Sequence, residues 1–274
     1  MSIKNQNSDM NCTQRLSAVL AALLLAAGGT LKAQNTGFTF TGGWSFPIGN
    51  YAHSDLQRSQ WGLANKCPDG GAGQGGLLGV QWSSAIGSME GFSWMVSIDL
   101  IFSDLNSDIK TSTFEMRRVM ESNFSEVSFT LPYYYNLPLM AGLRREWTLS
   151  NGQGIFVEAQ VGLDYCIISD RSVSLRGGAE PLVIAGNRFY DYDYTDRFNN
   201  TLSAAFRLGV GYRFAERWQA EVALWYLGTH LISGTEEVAF KTEPSYTSMT
   251  EAKQDFMLSE IAPMLITARI GFRL

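Results

Sequence analysis

The sequence predicts an all-β protein, an eight-stranded antiparallel up-and-down barrel that crosses a membrane. Eight segments alternate bulky apolar side chains with small or polar ones, and a period of two places alternate side chains on opposite faces of a β-strand. The gaps between the segments are alternately short and long. Tight turns at one end and large loops at the other are typical of barrels that span an outer membrane.

The chain begins with the features of a secretory signal peptide over residues 1–33, which leaves 34–274 as the barrel domain. Lys4 and Arg15 form a basic N-terminal region, which is followed by a short apolar core, Leu16–Ala27. A core of about 12 residues is too short to cross a bilayer, which takes about 20. Cleavage removes three basic residues and one acidic residue, so the formal net charge changes from −5 to −7. That charge argues against nucleic acid as a partner.

The first four strands are predicted from apolar residues at every second position. They cover Gly37–Phe46, Gly75–Ser84, Phe92–Ser103 and Phe129–Trp147. The apolar face is rich in Phe and Trp in the first three strands and in Leu and Tyr in the fourth. The opposite faces hold small and amide side chains together with Asp99 and Arg144.

The last four strands follow the same rule. They cover Ile155–Ile167, Leu202–Phe214, Trp218–Tyr226 and Met264–Leu274. In the final strand, even-numbered positions from Met264 to Leu274 are apolar, while odd-numbered positions include Thr267, Arg269 and Arg273.

The gaps fall into two classes by length. Short gaps lie at about 85–90, 148–154 and 215–217, and long gaps at about 47–74, 104–128, 168–200 and 229–262. Loops longer than about 15 residues are uncommon in compact soluble domains. With an even number of strands, both termini lie at the short-turn end, which is periplasmic in outer-membrane barrels, and the four long loops are extracellular.

The alternation of side chains between the two faces of a strand also predicts which residues are paired across two of the short turns. Directly paired residues point to the same face, so a three-residue turn at 215–217 places Phe214 opposite Trp218. The same reasoning makes 148–154 join Trp147 to Ile155. A shift of one residue would expose the polar face to lipid.

The apolar face is predicted to point outward into lipid. A soluble barrel that binds small ligands would point it inward, but this face holds roughly forty bulky side chains, and the interior of eight strands is only just wide enough to be filled by side chains. The small and polar face fits that interior. The inward charges are Asp99, Arg144, Glu158, Asp164, Arg207, Arg213, Glu221 and Arg269.

Unpaired charges in a narrow interior are costly, so these residues are expected to form a hydrogen-bonded network. Its centre is predicted to be Arg207, Glu158, Glu221 and Arg269. A path for ions or protons is one interpretation of such a network. A polar core that fills the barrel is the interpretation we favour.

This organisation resembles the small outer-membrane β-barrel families of Gram-negative bacteria: the porin-like "outer membrane protein β-barrel" family with its PorT-type members and, more distantly, the barrel of outer-membrane protein A. The segments that carry the resemblance are Gly43–Gly49, Asn136–Leu139 and Ala268–Leu274. The resemblance implies that the last strand, through Ile270, Phe272 and Leu274, is the signal read by the barrel-assembly machinery.

Several motifs suggest chemistry, and each has a simpler interpretation. Gly71–Gly76 has the spacing of a dinucleotide-binding loop but leads into a strand without a helix. His53-Ser54-Asp55 has the residue types of a catalytic triad, but consecutive residues seldom form one. His53 and His230 could bind a metal from two loops, although loop histidines are usually solvated.

Two further features lie in the predicted loops or at the end of a strand that leads into one. Asp191–Asp196 clusters carboxylates that could hold Ca²⁺, but the glycine and glutamate of a calcium-binding loop are missing, so a solvated acidic loop is the expectation. Cys67 and Cys166 could form a disulfide in an oxidising compartment, or remain two separate thiols.

The sequence therefore predicts a non-enzymatic cell-envelope protein without a cofactor or metal. Its partners are the lipid bilayer of the outer membrane, the assembly machinery and an unknown extracellular or envelope partner bound through the long loops. A small porin-like diffusion channel is the alternative, and an enzyme of the outer leaflet is the third interpretation.

Overall fold

Fifteen strands, one α-helix and a short 3₁₀ helix (Gly49–Tyr51) make up the computed structural model, which describes residues 36–53, 70–87, 89–150, 152–184, 187–243 and 249–274. The strands are β1 (Thr36–Ile48), β2 (Ala72–Ala85), β3 (Phe92–Leu105), β4 (Phe124–Thr130), β5 (Tyr134–Thr148), β6 (Gly154–Ile168), β7 (Arg171–Gly178), β8 (Leu182–Ile184), β9 (Asn187–Phe189), β10 (Asp191–Phe198), β11 (Thr201–Arg213), β12 (Trp218–Tyr226), β13 (His230–Lys241), β14 (Thr250–Ile261) and β15 (Met264–Arg273). The helix, α1, is Ser107–Glu121. Residues 1–33 lie outside the described part, so the signal peptide stays a prediction.

Eight of the strands close into the predicted antiparallel barrel. Their order around the wall is β1, β15, β12, β11, β6, β5, β3 and β2. Each of these strands overlaps one of the eight predicted from alternation, and the predicted fold class is confirmed. Among the described residues, no helix is long and apolar enough to cross a membrane.

The long connections contain more regular structure than the sequence analysis expected. A five-stranded antiparallel sheet has the order β14, β13, β10, β7 and β4. Each strand of this sheet continues a strand of the barrel after a break of two or three residues. In the order given, they continue β15, β12, β11, β6 and β5. Because the order is the same, the sheet raises one side of the barrel wall beyond the rim. We call it the raised sheet; three of the four predicted loops contribute strands to it.

The helix α1 connects β3 to β4 and lies against β4 of the raised sheet. Its N-cap is Asn106, whose side chain accepts a hydrogen bond from the Ile109 backbone N–H at 3.0 Å and satisfies a donor in the first turn. Ile109 is buried in the barrel cluster, and Met120 packs against the core of the raised sheet. The second predicted loop is therefore a helix followed by β4.

Both predicted turn registers are confirmed. Trp147 pairs with Ile155. Arg213 pairs with Gln219, and the Phe214 N–H donates to Trp218 O at 3.2 Å, which leaves 215–217 as the turn.

The outward face of the barrel is apolar, as predicted. Trp44 and Trp94 are 66% and 56% exposed, and in a soluble protein such a continuous apolar wall would be unusual. Aromatic belts border it at both ends: Phe102, Tyr135, Tyr165 and Tyr226 lie at the end of the long connections, and Trp147, Phe214, Trp218 and Phe272 at the end of the short turns.

The spacing of these belts matches a bilayer. Tyr135 and Trp147 are twelve positions apart on β5, or about 40 Å of strand at about 3.3 Å per residue. At a strand tilt of about 45° this covers about 28 Å, close to the hydrocarbon thickness of a membrane. The barrel is thus built to face lipid all the way round.

Candidate functional site

The interior of the barrel holds two layers, and the one nearer the short turns is ionic. Six strands contribute one charged side chain each to it. The residues are Asp99 on β3, Arg144 on β5, Glu158 on β6, Arg207 on β11, Glu221 on β12 and Arg269 on β15. Three cations face three carboxylates, so the formal charge of this ionic layer is zero.

Each guanidinium of the ionic layer contacts at least one carboxylate. Arg144 Nη2 lies 2.9 Å from Glu158 Oε2. Arg207 contacts both Glu158 and Glu221. Arg269 lies 3.1 Å from Asp99, 3.2 Å from Glu158 and 2.9 Å from Glu221. Buried ion pairs repay the loss of hydration only when such shared contacts are made, and here Glu158 is shared by all three arginines.

Amides and rings complete the ionic layer. Gln81 donates to Glu158 at 3.3 Å, and Gln219 accepts from Arg144 at 3.1 Å. The guanidinium carbon of Arg144 lies 4.0 Å from the centroid of the Phe156 ring, and that of Arg207 lies 4.8 Å from the Trp225 ring. These aromatic faces attract the cations and close the layer from below and above.

Glycine makes room for the carboxylates on neighbouring strands. A Cβ atom at Gly79 would lie 2.0 Å from Asp99 Oδ1, and one at Gly209 would lie 2.6 Å from Glu221 Oε1. The inward-facing glycines therefore complement the inward-facing charged residues: a charged side chain on one strand occupies the space that a glycine on a neighbouring strand leaves free.

The structure does not bring Asp164 or Arg213 to the ionic layer. Arg213 lies at the short-turn end and pairs through Nε with Glu146 at 2.6 Å. Asp164 lies toward the opposite end, with its Oδ2 3.1 Å from His230 Nε2. The predicted network is thus a central group of six residues with two separate pairs, one at each end of the barrel.

The second interior layer is apolar and was not predicted. Leu77, Ile101, Met140, Trp225 and Leu265 point inward, and all are fully buried. The Trp225 indole N–H donates to Thr267 Oγ1 at 2.9 Å. The alternation along β12 could have predicted this layer, because Trp225 points to the same inward face as Glu221 and Gln219. The same alternation along β5 places Glu146, the partner of Arg213, on the inward face with Arg144.

His230 is buried, which corrects the expectation of a solvated loop histidine. It is the first residue of β13, at the junction of the barrel and the raised sheet. Its Nε2 lies 2.8 Å from Leu227 O, and its Nδ1 lies 2.8 Å from Thr201 Oγ1. His230 Nε2 therefore faces a backbone carbonyl and the Asp164 carboxylate, and Nδ1 faces the Thr201 hydroxyl.

Among the residues that the structure describes, the remaining sequence motifs form no catalytic or metal site. His53 is exposed, and Ser54 and Asp55 lie outside the described residues, as does Cys67. Cys166 is buried on the inward face of β6, and both interpretations of the two cysteines, a disulfide or two separate thiols, stay predictions. Gly73 and Gly75 lie within β2, where an added Cβ would collide with the backbone of β3. This strand begins at Ala72, three residues before the predicted start at Gly75.

The acidic segment of the third connection is a strand, which corrects the prediction of a solvated loop. Asp191 and Asp193 lie on the polar face of β10 and pair with Lys241, at 2.8 Å, and with Arg176. Asp196 points to the other face and pairs with Arg171. Within the described ranges there is no group of three or more potential metal ligands.

The two faces of the raised sheet differ in chemistry. One face packs on a buried core, in which Val173, Leu175, Tyr192 and Tyr194 of the raised sheet lie with Phe124 of β4 and Phe189 of β9. The opposite face carries the pairs made by Asp191 and Asp193, and Glu237 lies between Arg197, at 3.2 Å, and Lys253, at 2.9 Å. The raised sheet therefore has a core of its own and presents a polar, charged surface.

Two ionisable groups of the raised sheet have displaced pKa values. Burial raises the pKa of Tyr194 well above its usual range, so its hydroxyl stays protonated and donates to Glu236 at 3.3 Å. Partial burial acts against ionisation of Asp191, but bonds from Lys241 and the Gly177 N–H outweigh it and lower the pKa of that carboxyl. Both effects favour the paired arrangement at neutral pH.

A closed barrel with a lipid-facing apolar wall, aromatic belts and an ionic interior defines an outer-membrane β-barrel protein. Similar solved structures include OprG from Pseudomonas aeruginosa, with 13% identity over 88% of this chain and 96% of that one and a TM-score of 0.37. A major outer membrane protein from Thermus thermophilus has 11% identity over 87% and 99%, with a TM-score of 0.42. AlkL, solved in lipid bilayers, has 10% identity over 90% and 94%, with a TM-score of 0.32.

No family model and no curated protein matches the sequence. The resemblance to PorT-type proteins and to outer-membrane protein A therefore stays a prediction.

Proposed function

We propose that this protein is a non-enzymatic outer-membrane barrel with a closed interior, and that its raised sheet is an extracellular surface for interaction with an envelope or extracellular partner. The observation that carries the first part is a column of interior side chains without solvent contact. From the short-turn end upward, Phe156, Arg207 and Trp225 are each 0% exposed, and Tyr51 at the far mouth is 1% exposed. Side chains that line a water-filled channel would be exposed to that water.

The raised sheet supports the second part of the proposal. It is held by its own buried core and by ion pairs across its strands, so its outer face is fixed in shape. Rigid elements present a binding surface at a lower cost in conformational entropy than mobile loops do. The extracellular placement rests on the usual arrangement of outer-membrane barrels, in which the long connections face outward.

A planar bilayer tests whether the interior is closed. We expect no stepwise conductance after insertion of the folded protein, because the side chains of the ionic layer and the apolar layer are buried and fill the interior. Detergent without protein is the blank, and an open porin calibrates the sensitivity. Reproducible conductance steps from the folded protein would instead support the alternative function, a small diffusion channel.

Photo-crosslinking in intact cells tests whether the raised sheet binds a partner. A photoreactive residue at Val183 is expected to give a discrete crosslinked product, because Val183 is 61% exposed on β8 of the hairpin whose Phe189 packs against Tyr192 and Phe240 of the raised sheet. The matched control carries the same residue at Leu149, in a short turn at the other end of the barrel. The interaction role is contradicted by an absence of products at Val183 or by the same products from both positions.

A further inference from the structure

Arg145 is the one charged side chain on the described part of the lipid-facing wall between the two aromatic belts. It lies on β5 between Leu143 and Trp147, both of which point outward and are exposed. Arg144 before it and Glu146 after it point inward. A lone cation on the lipid face is unfavourable unless it finds a partner, so its surroundings are informative.

Two aromatic rings hold the guanidinium of Arg145. Its carbon lies 5.1 Å from the centroid of Phe92 and 4.9 Å from that of Trp147. Phe92 is the direct cross-strand partner on β3, and Val157 is the partner on β6. Cation–π contacts attract a guanidinium to the ring faces, and they fix this one beside the belt at the short-turn end.

No described carboxylate lies within ion-pair distance of Arg145; the nearby Glu146 points inward to Arg213. The wall around it is aromatic or aliphatic, so partners for the guanidinium must come from the bilayer. Trp147 marks the headgroup level, and Arg145 is one step inside it, about 7 Å along the strand. A side chain of this length reaches from there to the headgroups.

We propose that Arg145, with Phe92 and Trp147, forms a binding site for the phosphate of a phospholipid in the leaflet at the short-turn end. The planar guanidinium binds phosphate oxygens through two parallel N–H donors. The rings fix its orientation and cover the first part of the acyl chains. Basic pockets at the membrane surface recognise lipid headgroups in this way.

Native mass spectrometry of the full-length protein, released from detergent with added phosphatidylglycerol, tests the site. We expect one retained lipid, and about fivefold weaker binding in Arg145→Gln. Arg145→Lys keeps the charge but loses the paired donors, so its binding is expected to lie between the two. Arg217→Gln is the matched control, because Arg217 lies in a turn at the same end.

A galactosyl diacylglycerol with the same acyl chains is the second probe, because it has no phosphate. We expect it to bind weakly and to be unaffected by Arg145→Gln. Equal retention of the two lipids by the parent protein, or equal loss of phosphatidylglycerol in Arg145→Gln and Arg217→Gln, would overturn the proposal. Folding of each variant is checked by the mobility of unboiled and boiled samples, since a closed barrel resists cold detergent.

Discussion

Replacement of Arg207 by alanine is expected to destabilise the protein by about 3–5 kcal/mol. The change removes one of three cations from the ionic layer and leaves Glu158 and Glu221 buried with too little positive charge. It also leaves the Trp225 ring without the cation that it faces. Urea unfolding of the detergent-folded protein measures the loss as a lower midpoint.

Arg213→Ala is the matched control for this experiment. Arg213 also points inward and pairs with a glutamate, but its side chain is 20% exposed at the barrel end. Water can therefore replace the lost partner, and a pair of this kind is worth about 1 kcal/mol or less. Equal midpoints for the parent protein and Arg207→Ala would refute a structural role for the ionic layer.

Trp225→Ala is expected to cost a similar amount, about 3–5 kcal/mol, for a different reason. The indole is fully buried in the apolar layer and donates to Thr267, so its removal leaves a cavity that the closed wall cannot collapse to fill. Trp225→Phe retains most of the volume and is expected to recover most of the loss.

The variant Trp44→Ala distinguishes the stability gained by burial in the barrel interior from the stability gained by contact with lipid. Trp44 is 66% exposed on the outer wall, and lipid chains can fill the space that its ring leaves. We expect a change well below that of Trp225→Ala. If the two alanine variants unfolded at the same urea concentration, Trp225 would not act as an interior filler.

Alternation alone predicted the barrel, its strand count and the face of each strand. Register followed as well, because a slip of one residue would have put Trp147 or Trp218 inside the barrel. The Trp147–Ile155 pair and the turn at 215–217 are confirmed for this reason. A lipid environment makes this kind of prediction robust, since the wall must be apolar outside at every level and every backbone group must be paired.

The long connections could not be predicted in the same way. At the start of β10, aspartates alternate with Tyr192 and Tyr194, a pattern that is also typical of a polar loop. Only the pairing of β10 with β7 and β13 gives the carboxylates their cations and buries the tyrosines. The partners Lys241 and Arg176 are 50 and 17 residues away along the chain from the carboxylates that they bind.

By itself, then, the sequence determined which side chains face lipid and which face the interior, because alternation is a local property of each strand. It predicted a central group of Arg207, Glu158, Glu221 and Arg269, but it did not determine which partners the other inward charges meet. Arg207, Glu158 and Glu221 come together in the centre, while Asp164 is paired with His230 at one end and Arg213 with Glu146 at the other. The stagger between neighbouring strands sets the height of every residue in the wall, and only the closed barrel fixes that stagger.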